Sequence, residues 1–223
     1  MPIANTRTYL SDVIQELRLQ WPDNHIINIV CHGHSVPAGY FATPMVDTFN
    51  AYPHLLFGLL KDRFPFTTLN MIVTAIGGEE SDRGSKRFEE EVLCHRPAVL
   101  TIDYGLNDRR IGLAKAEESW RIMIEKSIQR QIKLLLLTPT PDTSGLDDPS
   151  SEQWSLLKQH AEQIRSLADE YQVGLVDSFL AFERYVQASG DLTLVLSWKN
   201  HPNRKGHELV ADQMMRWFTI TPT

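Results

Sequence analysis

Cysteine is nearly absent: Cys31 and Cys94 are the only two in 223 residues. They form no CxxC pair and have no zinc-ligand spacing, which excludes a disulfide-stapled scaffold and a zinc centre of that kind. Each lies in or beside an apolar run and is expected to be a buried, reduced thiol. No run of 18 or more apolar residues occurs, so no membrane span is expected. The opening residues Met1 to Arg7 have no basic region followed by an apolar core. That reads as a cytoplasmic protein with no signal peptide. Basic residues do not dominate either: 22 Lys and Arg stand against 28 Asp and Glu, a net charge of −6. A nucleic-acid partner bound by phosphate neutralisation is therefore not expected. Neither a G-x-x-x-x-G-K-[ST] phosphate loop nor a G-x-G-x-x-G after the first strand is present, which removes the nucleotide-binding reading. The histidines give no i, i+4 metal pair, so neither a metal nor another cofactor is expected.

What is present is ordinary for a globular chain: 42% hydrophobic and 22% charged residues. Short apolar, β-branched runs predict strands at about 26–32, 67–76, 98–104, 132–138 and 173–177. Amphipathic spacing predicts helices at about 6–20, 50–64, 83–94, 114–131, 151–171, 178–189 and 204–218. Residues 40–48 read as an extended loop able to line a cleft. Strands alternating with helices imply a parallel sheet buried on both faces. The expected fold is a three-layer α/β/α sandwich, a flavodoxin-like five-stranded parallel sheet. With no linker or repeat, it forms one domain over residues 1–223.

In such a sheet every strand ends on the same edge, where ligands bind. The first strand ends in Cys31-His32-Gly33-His34-Ser35, the second in Gly77-Gly78, the third in Gly105-Leu106-Asn107-Asp108. A serine at a strand exit beside glycine is a candidate nucleophile, provided that a base and an oxyanion hole accompany it. The N–H groups of Ser35 and Gly78 and the side-chain amide of Asn107 are candidate oxyanion donors. His201 is the candidate base, in the loop before the last helix and stiffened by Pro202. Ser35 and His201 are expected within hydrogen-bond reach. The serine is not in G-x-S-x-G, because Pro37 holds the last position, and it comes early in the chain; both argue against an α/β-hydrolase.

Gly33-His34-Ser35, Gly78, Gly105-Leu106-Asn107-Asp108 and His201-Pro202-Asn203 occur in the order of the four blocks of the SGNH (GDSL-type) hydrolases, which the chain resembles over about residues 26–218. The resemblance implies a flavodoxin-like fold and esterase, lipase or carbohydrate-deacetylase activity. It implies Ser35 as nucleophile, Gly78 and Asn107 as oxyanion donors, and His201 as base. Two positions depart from the family pattern. His34 stands where the first block usually has Asp, and Trp198 stands where an Asp normally precedes the catalytic His by three residues. The acid normally orients the imidazole. Three readings follow. A backbone carbonyl, that of Trp198 for instance, holds His201; another carboxylate, Asp177 or Asp191, approaches in space; or catalysis is weak or lost.

The remaining groups read as follows. His34 is structural or touches substrate. Asp108 satisfies loop N–H groups. His207, on the last helix, is a helix-surface or packing residue. Glu79, Glu80, Arg83, Arg109 and Arg110 flank the cleft and are mostly solvated, with one of them available to bind a polar substrate. The function expected is a serine esterase acting through an acyl-enzyme on short acyl, notably acetyl, esters of a carbohydrate or similar small polar alcohol. Its partner is then a small-molecule ester, with neither nucleic acid nor membrane involved; no oligomeric state is read from the sequence. A lipase fits less well, for no long apolar lid is visible. The alternative is a non-catalytic carbohydrate-binding protein of the same fold.

Overall fold

The structure, a computed structural model, describes residues 4–220, apart from the side chain of Asp147. Five strands form one parallel sheet: β1 Ile26–Gly33, β2 Thr68–Val73, β3 Val99–Asp103, β4 Lys133–Leu137 and β5 Gly174–Val176, in the order β2-β1-β3-β4-β5. This is the flavodoxin-like order. Around it lie α1 Ser11–Leu17, α2 Ser35–Ala38, α3 Tyr52–Arg63, α4 Ser81–Glu91, α5 Leu113–Gln129, α6 Ser144–Asp147, α7 Glu152–Tyr171, α8 Ser178–Ser189 and α9 Arg204–Met215.

Side chains alternate along each strand, so each strand feeds two cores. Ile27, Ile29 and Cys31 of β1, with Leu135 and Leu137 of β4, pack with residues of α1, α3, α8 and α9. Val30, Leu100, Ile102, Leu134 and Leu136 pack on the other face with Phe88 of α4, Trp120 and Met123 of α5, and Ile164 of α7. Each fully buried Leu or Val contributes roughly 1.5–3 kcal/mol. Two helical layers around one sheet follow directly.

Three local expectations shift. The first helix is shorter than 6–20 and covers Ser11–Leu17; before it, Asn5 accepts the N–H groups of Thr8 and Tyr9 in a turn. β2 stops at Val73, and Thr74 and Ile76 go on bonding to the carbonyls of Cys31 and Gly33 in looser fashion. Cys31 is buried as expected, but Cys94 is exposed beyond α4. Among the described residues no helix is long and apolar enough to cross a membrane.

The strand order positions the site. β1 leads into α3 on one face of the sheet and its neighbour β3 leads into α5 on the other, so the loops after β1 and β3 diverge at the carboxyl edge. That divergence opens a crevice at the carboxyl end of β1. Ser35 is two residues beyond Gly33, where β1 ends.

Candidate active site

β1 runs into His34, which caps the single turn α2, and Ser35 is the first residue of that turn. The Ser35 side chain is almost buried, with 6% of the residue exposed. Its Oγ lies 2.9 Å from His201 Nε2. On the other side of the ring, Nδ1 is 2.7 Å from the carbonyl oxygen of Phe41. A carbonyl can only accept, so Nδ1 carries the proton and Nε2 is left to accept from the serine O–H. Burial lowers the His201 pKa from its ordinary 6.5; the Phe41 bond opposes that shift, and nearby His34 adds to it.

His201 is held by its own tight loop. Ser197 donates to the His201 carbonyl through both N–H (2.9 Å) and hydroxyl (3.1 Å), and Leu196 bridges to Pro202. Asn203 caps α9 by accepting from Gly206 N–H. The Phe41 carbonyl projects from a second closed loop, in which Phe41 N–H donates to Met45, Asp47 N–H donates to Gly39, and Tyr40 bridges to Val46. The segment expected as an extended loop is therefore a small hairpin. Its Phe41 ring is buried 5.1 Å from the ring of His207, and His207 Nδ1 accepts the Tyr52 N–H. His207 is thus a packing residue between hairpin and α3.

The group at His201 Nδ1 is a backbone carbonyl, as the first of the three readings expects, but it is that of Phe41; Trp198, Asp177 and Asp191 all lie elsewhere. Trp198 is 57% exposed, and its carbonyl is not the acceptor. Asp177 accepts from Arg165 at 2.8 and 3.0 Å, from Thr138 and from the Leu180 N–H, so its charge is spent on α7 and the α8 cap. Asp191 accepts the N–H and hydroxyl of Thr193. His34, a candidate for substrate contact, is buried. Its Nδ1 accepts the Val36 N–H (3.2 Å) and lies 3.4 Å from Ser35 Oγ, while Nε2 faces Asp103 Oδ1 at 3.4 Å.

The loops carrying Gly78 and Asn107 are stitched together. Gly78 adopts φ +77°, a conformation that favours glycine, and a Cβ there would meet only open space. Arg110 donates to the Gly78 carbonyl and pairs with Glu80 at 2.7 Å. Asn107 Nδ2 donates to the Glu79 carbonyl at 3.0 Å. An amide nitrogen has two hydrogens, so one remains for a ligand. Asp108 accepts from Ser81 N–H and Trp120 Nε1, both at 2.8 Å, which is the structural role expected of it. Burial raises its carboxyl to about 6 against the pull of those two bonds.

The charged groups of the cleft are less solvated than their sequence context suggests. Arg109 forms an ion pair with Asp142 at 2.6 Å, and Glu79 is buried. Sequence reasoning also passed over Tyr40. Its ring lies against Gly77, where an added Cβ would come within 2.8 Å, and 6.1 Å from the ring of His201. It therefore stands between the Gly78 loop and His201.

A model of the GDSL-like Lipase/Acylhydrolase family matches residues 31–209. The chain belongs to this family. It is a carboxylic ester hydrolase of the SGNH (GDSL-type) group. An acetylxylan esterase from Geobacillus stearothermophilus is 22% identical over 178 residues, which span 74% of this chain and 79% of that one. An uncharacterized lipoprotein, YqeF, of Bacillus subtilis (strain 168) is 24% identical over 163 residues, 70% of this chain and 65% of that one. The crystal structure of the Geobacillus stearothermophilus esterase Axe2 superposes with a TM-score of 0.75 at 20% identity, covering 87% of this chain and 95% of that one. Catalytic mutants of Axe2 replace a serine, an aspartate and a histidine, the aspartate three positions before the histidine. Three positions before His201, this chain has Trp198.

Proposed function

We propose that the protein is a serine esterase that removes short acyl groups, acetyl above all, from a carbohydrate or similar polar alcohol. The observation that carries this reading is the chain Ser35 Oγ, His201 Nε2, His201 Nδ1, Phe41 carbonyl, with links of 2.9 and 2.7 Å. In this reading Ser35 attacks the ester carbonyl as its proton passes to His201 Nε2. The carbonyl π electrons move to oxygen, and the oxyanion is met by the N–H groups of Ser35 and Gly78 and the free hydrogen of the Asn107 amide. Each such donor contributes about 3 kcal/mol in the transition state. On collapse, His201 returns the proton to the departing alcohol. Water, deprotonated by His201, then attacks the acyl-serine; as the intermediate collapses the acyl–Oγ bond breaks, His201 returns the proton to Ser35 Oγ, and the acid leaves.

The role of the missing acid falls to the Phe41 carbonyl, which fixes the tautomer without adding a charge. The small acyl group is supported by the low exposure of Ser35 and His201 and by Tyr40 beside them. The acetylated sugar is supported by likeness to an acetylxylan esterase. The test is turnover of a chromogenic acetate and of acetylated xylooligosaccharides by wild type, Ser35→Ala and His201→Ala, with fluorophosphonate labelling at Ser35. Equal background rates in all three and no adduct on folded protein would leave only the carbohydrate-binding reading.

A further inference from the structure

Beneath the Gly78 loop lies a buried charged cluster to which the proposed chemistry assigns no part. Glu79 is 4% exposed. Its carboxylate accepts from Arg87 Nε (2.9 Å) and Nη2, and from the Tyr104 hydroxyl (2.7 Å). Arg87 Nη2 also donates to the Thr74 carbonyl at the end of β2 (2.7 Å). Tyr104 Oη is 3.0 Å from His32 Nε2, and His32 Nδ1 is 3.0 Å from Thr74 Oγ1. Tyr104 gives its one proton to Glu79, so His32 Nε2–H donates to Tyr104 and Thr74 donates to His32. Burial, with the Arg87 charge adding to it, lowers His32 to about 3, so this imidazole is neutral and the order of donors is kept. The carboxylate is thus tied to α4 through Arg87 and to the end of β3 through Tyr104.

The main chain of the same residue touches both oxyanion candidates. Glu79 follows Gly78 directly, and its N–H closes the turn onto the Ile76 carbonyl. Its carbonyl accepts the Asn107 amide. Burying an ion pair is seldom the cheapest way to stabilise a fold, since well-packed apolar residues often serve as well or better. What a multiply bonded carboxylate supplies is a fixed position.

We propose that Glu79 is the positioning residue of the oxyanion hole: its buried carboxylate fixes the backbone from which the Gly78 N–H and the Asn107 amide are both aimed. This rests on the esterase reading above. Glu79→Gln keeps the shape and removes the charge; Tyr104→Phe removes one bond and keeps the ion pair. Asp177→Asn is the control, because it breaks the Arg165 ion pair between α7 and the α8 cap, away from the Gly78 and Asn107 loops. With a chromogenic acetate, Glu79→Gln lowers kcat by about 30- to 100-fold, reaching at most the lower edge of the roughly 10²- to 10³-fold loss of a whole oxyanion donor. KM changes by less than about 3-fold, because the interaction is made in the transition state. A boronic acid that forms a tetrahedral adduct weakens by the same factor as kcat, and the acid limb of the pH profile, set by His201, stays in place. Tyr104→Phe moves in the same direction by about 5-fold, as expected for one hydrogen bond near 1 kcal/mol. Asp177→Asn lowers Tm and leaves kcat alone.

Unchanged kcat in folded Glu79→Gln and Tyr104→Phe, with wild type active, overturns this proposal and leaves the esterase reading standing. A kcat loss in Asp177→Asn that matches its Tm loss as closely as in Glu79→Gln also overturns it. If Glu79→Gln does not fold, Tyr104→Phe decides. Wild type with neither turnover nor fluorophosphonate label overturns the esterase reading, and this proposal with it.

Discussion

The two sides of the candidate site are built from different materials. On the oxyanion side, the loops after β2 and β3 are joined by charge-assisted bonds: Arg87 and Tyr104 on Glu79, Arg110 on Gly78 and Glu80, Ser81 and Trp120 on Asp108. On the base side, His201 sits in a loop closed by Ser197 and faces a neutral carbonyl, that of Phe41, with no carboxylate among the described residues at its Nδ1. Acyl transfer develops two charges, one on the carbonyl oxygen and one on the imidazole. In the proposed mechanism the first is met by donors on an ionic frame and the second by a dipole alone. A dipole orients an imidazole but stabilises its cation less than a full charge does.

The deepest cuts remove the centre shared by both sides. Ser35→Ala and His201→Ala should each lower kcat/KM by about 10³- to 10⁴-fold or more, and the double variant should be little worse, because residues acting as one unit are not additive. Steady-state rates on a chromogenic acetate check this; an additive loss would separate the two. Next comes the oxyanion side. Asn107→Ala should lower kcat by about 10²- to 10³-fold with KM nearly unchanged. A loss confined to KM would instead make Asn107 a substrate ligand. The base side should yield less. Phe41→Leu leaves the carbonyl in place and loosens only its ring against His207. We expect a fall in kcat of about 5-fold or less, with Tm lowered by a core change of about 1 kcal/mol. A loss as large as that of Asn107→Ala would mean that the hairpin is no softer than the ionic frame.

The same contrast separates what the amino-acid sequence makes legible from what it does not. Ser35, Gly78, Asn107 and His201 stand out because a parallel sheet brings strand ends to one edge, and their side chains or turn geometry carry chemical meaning by type. The sheet was legible for a similar reason: runs such as Leu134 to Leu137 are apolar on both faces. Phe41 was not legible as a partner for His201, because every residue has a carbonyl and no side-chain type marks the one that is used. Glu79 stood in a polar run, Gly77-Gly78-Glu79-Glu80-Ser81, and read as solvated. Its burial depends on Arg87, eight residues on, and on Tyr104 from another strand, both brought to it by tertiary packing. The first helix was over-read at both ends, where a turn on Asn5 and the Trp21-Pro22 step compete with helical periodicity.

The finest test restores the family's acid. In the proposed mechanism neutral His201 is the base, and its pKa lies below 6.5. Protonation therefore disables it only at lower pH, and the acid limb of kcat/KM should fall below 6.5. A carboxylate bonded to Nδ1 would favour the imidazolium and move that limb upward. Trp198→Asp places a carboxylate at the family position, on an exposed residue, while Phe41 continues to occupy Nδ1. A surface substitution away from a bonded partner changes little, so kcat/KM should stay within about 2-fold and the limb should not move. If instead the limb rises and kcat climbs about 10-fold, a gain near 1.4 kcal/mol, the new charge has displaced the carbonyl. The neutral base side would then be a consequence of one substitution at position 198, and the hairpin that presents Phe41 would not be what sets the basicity of His201.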